Sequence, residues 1–218
     1  MTAYVITAEH ATAAPRIRKS WAERRRATIA LAIMLPFASA WLASAPLAEP
    51  GSWVELPFRI AGWSLFLAGA AFRFWATLYI GGRKGHAVVA EGPYSITRNP
   101  LYLGTLLMAI GTVALLGSLT MMVGLAIAAA AYLLVTIPSE ERRLADKLGE
   151  AYREYVQRVP RFWPRWKLLR SSGTIDVDLH CLAVESLRAL RWSALPVLVE
   201  VVMQARLASW WSHYFLLP

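Results

Sequence analysis

The sequence predicts an all-α integral membrane protein with about four transmembrane helices. Three observations carry that reading. Hydrophobic residues make up 57% of the 218-residue chain and charged residues only 17%, whereas a soluble domain holds about a quarter charged residues. The apolar residues gather in runs near the ~20 residues that a helix needs to cross about 30 Å of hydrocarbon. The basic residues gather at alternate ends of those runs, as cytosolic loops do.

The first apolar run, about 27–48, contains Pro36, a predicted kink. Residues 1–26 before it hold Arg16, Arg18, Lys19, Arg24, Arg25 and Arg26. They read as a cytosolic basic arm, because the following run is long and lacks a small-residue cleavage site. The second run, about 57–80, carries Arg73. The third and fourth, about 100–117 and 119–137, are joined only by Gly117-Ser118. So short a connection forces an antiparallel pair with both polar ends on one membrane face. Gly104, Gly111 and Gly124 are expected to let these two helices approach closely.

The loop at 49–57 has Glu49 and Glu55 but no Lys or Arg, whereas the arm, the 81–98 loop and the 139–170 segment are basic. The positive-inside rule then puts both termini and the two polar constellations in the cytoplasm, and the chain is expected in a bacterial inner membrane. Beyond Pro138, Ser139 reads as an N-cap with Glu140 and Glu141 in the first turn. Leu144, Leu148, Tyr152, Tyr155 and Val159 line one face of an amphipathic helix, 139–160, lying on the cytosolic end. Pro160 and Pro164 end it, and Trp163 and Trp166 follow as interfacial anchors. The membrane core is thus 27–170. In the tail, 171–218, Glu185, Arg188, Arg191, Pro196, Glu200 and Arg206 interrupt the apolar pattern. The tail reads as C-terminal interfacial or re-entrant helices, with a fifth span around 192–211 as the alternative.

Composition also excludes. The net charge of +9 has no soluble basic domain to carry it, so it fits anionic lipid rather than nucleic acid. Cys181 is the single cysteine, which rules out an intrachain disulfide and a cysteine-rich metal site. His10, His180 and His213 have no partners at metal-ligand spacing, and no metal is expected. Gly81-Gly82-Arg83-Lys84-Gly85 before His86 matches neither the P-loop nor the dinucleotide pattern and reads as a cytosolic loop.

Two polar constellations carry the chemistry. Residues 91–104 read Glu-Gly-Pro-Tyr-Ser-Ile-Thr-Arg-Asn-Pro-Leu-Tyr-Leu-Gly. Asn99-Pro100 makes a good helix start, and Gly92-Pro93 a tight turn with backbone amides free for a ligand. Helix-making does not explain Arg98, Tyr94 or Tyr102. The second constellation, Glu140-Glu141-Arg142, returns beside the first through the hairpin. Arg73, deep in the second run, reads either as a functional residue or as a side chain snorkelling to the headgroups.

Taken together, Gly92-Pro93-Tyr94, Arg98-Asn99-Pro100-x-Tyr102-x-Gly104 and Glu140-Glu141 with Leu144, Leu148-Gly149, Tyr152, Tyr155 and Val159-Pro160-Arg161 resemble the isoprenylcysteine carboxyl methyltransferase family. That family is close to the phospholipid N-methyltransferases, and the resemblance covers roughly residues 60–167. It implies S-adenosylmethionine as methyl donor and a lipidic or hydrophobic acceptor with a carboxylate or amine head. By position it implies cofactor contacts at Glu91, Gly92, Pro93, Tyr94, Arg98, Asn99, Pro100, Tyr102, Gly104, Glu140 and Glu141. Arg98, Glu140 and Glu141 are the catalytic candidates. Arg153, Tyr155 and Arg161, together with Arg73, are candidates for the acceptor's head. The family usually has His where this chain has Asn99, and an amide cannot serve as a base near neutral pH. Two alternatives remain open: an NADPH-dependent membrane reductase of the sterol-reductase type, and a non-enzymatic membrane scaffold or sensor.

Overall fold

A computed structural model describes residues 21–45, 53, 55–81, 87–171, 174–175 and 177–216. Most of the basic arm, Glu49 and the Gly82–His86 segment lie outside the described residues. The chain is all-α: α1 (Trp21–Ala43), α2 (Glu55–Ile80), a short α3 (Pro93–Ile96), α4 (Pro100–Leu115), α5 (Leu119–Ala131), α6 (Ile137–Arg158) and α7 (Leu179–Ala205). Two helices, Glu55–Ile80 and Leu119–Leu148, are long and apolar enough to cross a membrane, and Ala27–Ala43 and Pro100–Leu115 are shorter apolar helices.

The α4–α5 reversal forms as expected. Gly117 adopts φ 56°, a left-handed conformation natural to glycine, and the Ser118 side chain caps α5 by accepting from the Met121 amide. The glycines, however, serve different partners from those expected. A Cβ on Gly62 or Gly69 of α2 would meet the Gly111 or Gly104 carbonyl of α4 at 2.9 or 2.6 Å, while one on Gly124 would strike Phe37 of α1. The close seam therefore runs between α2 and α4, and α5 packs on α1. Backbones approach there because no side chain intervenes.

The amphipathic helix does not start afresh at Ser139. Residues 132–136 form a π-turn that runs α5 into α6 without a break. A proline lacks the N–H for the i−4 carbonyl and its ring crowds that carbonyl; the wider π-turn before Pro138 accommodates both. Ser139 Oγ donates to the Thr136 carbonyl instead of capping. The real bend lies at Gly149, φ 61°. Beyond it Tyr152, Tyr155 and Val159 pack on Val88 and Ala90 of the segment leading to α3, so this arm folds over the polar end of the bundle.

The tail, read from the sequence as interfacial or re-entrant helices, packs along the bundle. Residues 179–205 form one helix lying antiparallel along α2: Glu185 pairs with Arg73 and Glu200 with Arg59. Fourteen residues on α2 and fifteen on α7 separate these pairs, about 21 and 22 Å of helix. The charges that interrupt the apolar pattern are thus satisfied between helices. Past α7, Phe215-Leu216 pairs in parallel with Ser44-Ala45 at the end of α1. The described C-terminal end therefore lies at the α1–α2 end of the bundle, and the start of α1 at the other. This corrects the expectation that both termini face one side.

Candidate active site

The site is built where the start of α4, α6 and the strap 159–171 converge. Gly92 takes φ 56°, and a Cβ there would sit 2.5 Å from the Tyr79 ring, so only glycine turns the chain here. Its amide is not free for a ligand: it donates to the Arg170 carbonyl at 2.6 Å. The strap is then pinned along residues 92–99. The Arg98 amide donates to the Pro160 carbonyl and the Arg165 amide to the Ile96 carbonyl. Thr97 Oγ1 donates to the Phe162 carbonyl, and the Arg170 amide to Ser95 Oγ. Recognition of a ligand therefore falls to side chains.

Glu141 is the hub. It is 8% exposed and accepts from three side chains. Arg98 lies 3.3 Å from Oε1. Arg161 Nε and Nη2 lie 3.0 and 2.8 Å from Oε2, and Asn99 Nδ2 is 3.3 Å from Oε1. Asn99 Nδ2 also donates to the Arg161 carbonyl at 3.0 Å. Both partners accept, which fixes the amide orientation. Asn99 occupies the N-cap position of α4 without a capping side-chain bond; its amide ties α4 to α6 and the strap instead. Charge-assisted bonds of this kind are about twice as strong as neutral ones.

Glu140 is held differently. Tyr102 donates to its Oε2 at 2.6 Å, and Arg143 stands 3.7 Å from its Oε1. On the inner side the Tyr155 hydroxyl donates to the Tyr94 carbonyl at 2.8 Å. Burial pushes the Tyr94, Tyr152 and Tyr155 phenols above their ordinary range, and nearby carboxylates add to the effect for all three.

The other sequence candidates are placed as follows. Glu91 accepts the Tyr94 amide, and Pro93 and Pro100 are fully buried packing residues. Gly104 lies inside the α2–α4 seam, its missing side chain leaving room for Arg73 Cγ and the Gly69 carbonyl. Arg153 stands on the surface of α6 beside Glu150, away from the cluster. Arg73 does not snorkel. It binds Glu185 through Nε and Nη2, at 2.7 and 2.6 Å, and Nη1 reaches Thr105 Oγ1 and the Leu101 carbonyl. Sequence reasoning missed Thr97, Arg143, Glu185 and the strap. Thr97 carries no motif, and Glu185 meets Arg73 across 112 residues of chain.

Tyr94 Oη and Arg98 Nε, both buried at this end, have no hydrogen-bond partner among the described residues. Such an atom costs about 1–3 kcal/mol unpaired. A cavity of about 580 Å³ opens at the opposite end of the bundle, lined by residues such as Trp41, Phe58 and Met203, and contains none of these groups.

Residues 59–146 match the Isoprenylcysteine carboxyl methyltransferase (ICMT) family. The cobalt-zinc-cadmium resistance protein CzcN of Cupriavidus metallidurans is 37% identical over 153 residues, 69% of each chain. The chain belongs to the ICMT family. The nickel-cobalt-cadmium resistance protein NccN of Alcaligenes xylosoxydans xylosoxydans is 31% identical over 167 residues, 77% of this chain and 78% of that protein. The protein-S-isoprenylcysteine O-methyltransferase B of Arabidopsis thaliana is 33% identical over 97 residues, 44% of this chain and 48% of that one. No solved structure matches significantly. This ICMT-family chain is accordingly an enzyme of the methyltransferase class. Of its site, Arg98, Asn99, Tyr102, Glu140 and Glu141 lie within the matched region, whereas Tyr155, Arg161, the strap and α7 lie beyond it.

Proposed function

We propose that the protein transfers a methyl group from S-adenosylmethionine to a lipidic or hydrophobic acceptor at the cytosolic face of a bacterial inner membrane. The observation that carries this reading is the cross-hairpin cluster in which Arg98 and Asn99 of one motif meet Glu141 of the other, and Tyr102 meets Glu140. When bound, the sulfonium supplies a methyl group already activated for transfer. The protein's task is alignment and exclusion of water. Glu141 fixes Arg98 and Arg161, leaving Arg98 Nε and the Tyr94 hydroxyl to hold the donor. The strap covers the cluster on its aqueous side. The basic residues at this end support its cytosolic placement.

Calorimetry on the purified protein in detergent tests the reading. Saturable binding of S-adenosylhomocysteine with no binding of NADPH is expected, and binding of NADPH alone would overturn it in favour of a reductase. Incubation with methyl-labelled S-adenosylmethionine and a host lipid extract then shows which fraction takes the label.

A further inference from the structure

We propose that the cavity at the far end of the bundle is a second lipid site, which takes a single-chain fatty carboxylate with its head on Arg206. The cavity lies at the α4–α5 turn, and none of the residues of the Arg98–Glu141 cluster lines it. Its walls include Phe58 and Leu65 of α2, Ile110 and Leu115 of α4, Met122 of α5 and Met203 of α7. These side chains are apolar, and an apolar chain gains most by burial against them. The volume is about 580 Å³, within the range of small-ligand sites. A methylene needs the room of a water molecule, roughly 30 Å³. The cavity therefore holds a single chain of palmitate's length, and a two-chained phospholipid is too large for it.

Charge selects the head. Arg206 lines the cavity and is 2% exposed. Its guanidinium has no carboxylate partner among the described residues. The Trp41 ring covers one of its faces at 4.1 Å, and Nη2 reaches the Ser44 carbonyl and hydroxyl. That carbonyl also meets His213 Nδ1 at 2.8 Å, so both of its lone pairs are engaged. Nη1 meets the Met203 sulfur at 3.9 Å, and Nε has no partner. A buried charge held by so little is costly, and the unused N–H groups suit the oxygens of a carboxylate.

The other charged residues of the lining do not supply that anion. Glu55 and Glu200 both pair with Arg59, at 3.7 and 2.9 Å, and Glu200 also accepts from Trp63. Glu200 stands six residues before Arg206, about 9 Å of helix. The charges of the lining are thus balanced in sum but separated in space. The carboxylates gather at Arg59, and Arg206 lies apart from them against Trp41. A fatty carboxylate meets Arg206 with its head while its chain runs along the apolar walls.

The experiment titrates labelled palmitate onto the full chain in a sterol-based detergent, which has no acyl chain to compete, and counts bound label by scintillation proximity. Saturable binding is expected, and its absence overturns the site. Hexadecanol carries the tail without the charge, and it should displace the label at least tenfold more weakly than palmitate, the scale of one charge-assisted hydrogen bond. Equal displacement by hexadecanol overturns the role of Arg206. Displacement by phosphatidylglycerol as strong as by palmitate overturns the single-chain assignment, and tighter binding of hexadecyl phosphate overturns the carboxylate. Arg206→Gln is expected to weaken palmitate binding about tenfold or more on the same scale. Arg206 also anchors the tail, so a second variant leaves it in place. Met122→Trp changes a partly exposed side chain and fills the tail region, and it is expected to weaken palmitate by a similar factor. Unchanged affinity in either variant, once folded, places palmitate elsewhere on the protein, the cluster end included, and overturns the proposal.

Discussion

Glu141 shows what a single buried carboxylate does here. Three donors converge on it from two segments, the start of α4 and the strap, so its removal leaves Arg98 without a counter-ion inside the protein. Breaking a buried pair from one side costs about 3–5 kcal/mol. Glu141→Ala is therefore expected to lower the melting temperature by several degrees and to weaken S-adenosylhomocysteine binding at least tenfold, read by scanning fluorimetry and calorimetry. Asn99→His should be milder: one imidazole N–H replaces one of the two amide bonds, to Glu141 or to the Arg161 carbonyl. The three buried phenols set an alkaline limit. Their folded pKa values are raised above the unfolded value near 10. Their stabilisation is thus fully present below pH 10 and is lost as pH rises beyond it. Melting temperature should fall between pH 10 and 11.5, and Tyr152→Phe should flatten that fall; an equal slope in the variant refutes the assignment. The residues of this cluster were legible in the sequence, because motif and hairpin brought them together. The part each plays was not: Asn99 read as a cap and turned out to be a tie between segments, since its partner carbonyl belongs to the strap.

At the scale of elements, the α2–α4 seam depends on four glycines, paired seven residues apart on each helix: Gly62 with Gly69, and Gly104 with Gly111. A Cβ at Gly111 would lie 2.5 Å from the Gly62 carbonyl, and backbone cannot give way as a side-chain tip can. Gly111→Val should cost about 1–3 kcal/mol or more, seen as a lowered melting temperature in detergent. Gly124→Ala meets the Phe37 ring instead and should cost less. The helical character of the apolar runs was legible from hydropathy; the partners of the glycines were not, because a small-residue stripe marks a close approach without naming the neighbour. The uninterrupted passage from α5 to α6 was hidden for a related reason. Pro138 and Ser139 carry stop and start signals, and only the π-turn shows how the helix absorbs them.

At the scale of the molecule, α7 ties the tail to α2 by Arg73–Glu185 and Arg59–Glu200 and carries the C-terminal end to the far side of the bundle. Arg206 anchors it there. Its guanidinium donates to the Ser44 carbonyl and lies 4.1 Å over the Trp41 ring. With the site end in the cytosol, an alkaline phosphatase fused after Pro218 should be active in the periplasm, and one fused after truncation at residue 170 inactive. The reverse pattern would show that α7 does not cross.

Composition and periodicity alone determined that this chain is helical, lies in a membrane and sets two polar motifs beside one another, because burial in hydrocarbon and a two-residue reversal leave no other arrangement. The fate of the charges outside those motifs was decided only by tertiary structure. A carboxylate at Glu185 or Glu200 reads as a break in an apolar run until its arginine is known, and that arginine stands more than a hundred residues away. Ion pairing across helices turned an apparent surface tail into a wall of the bundle.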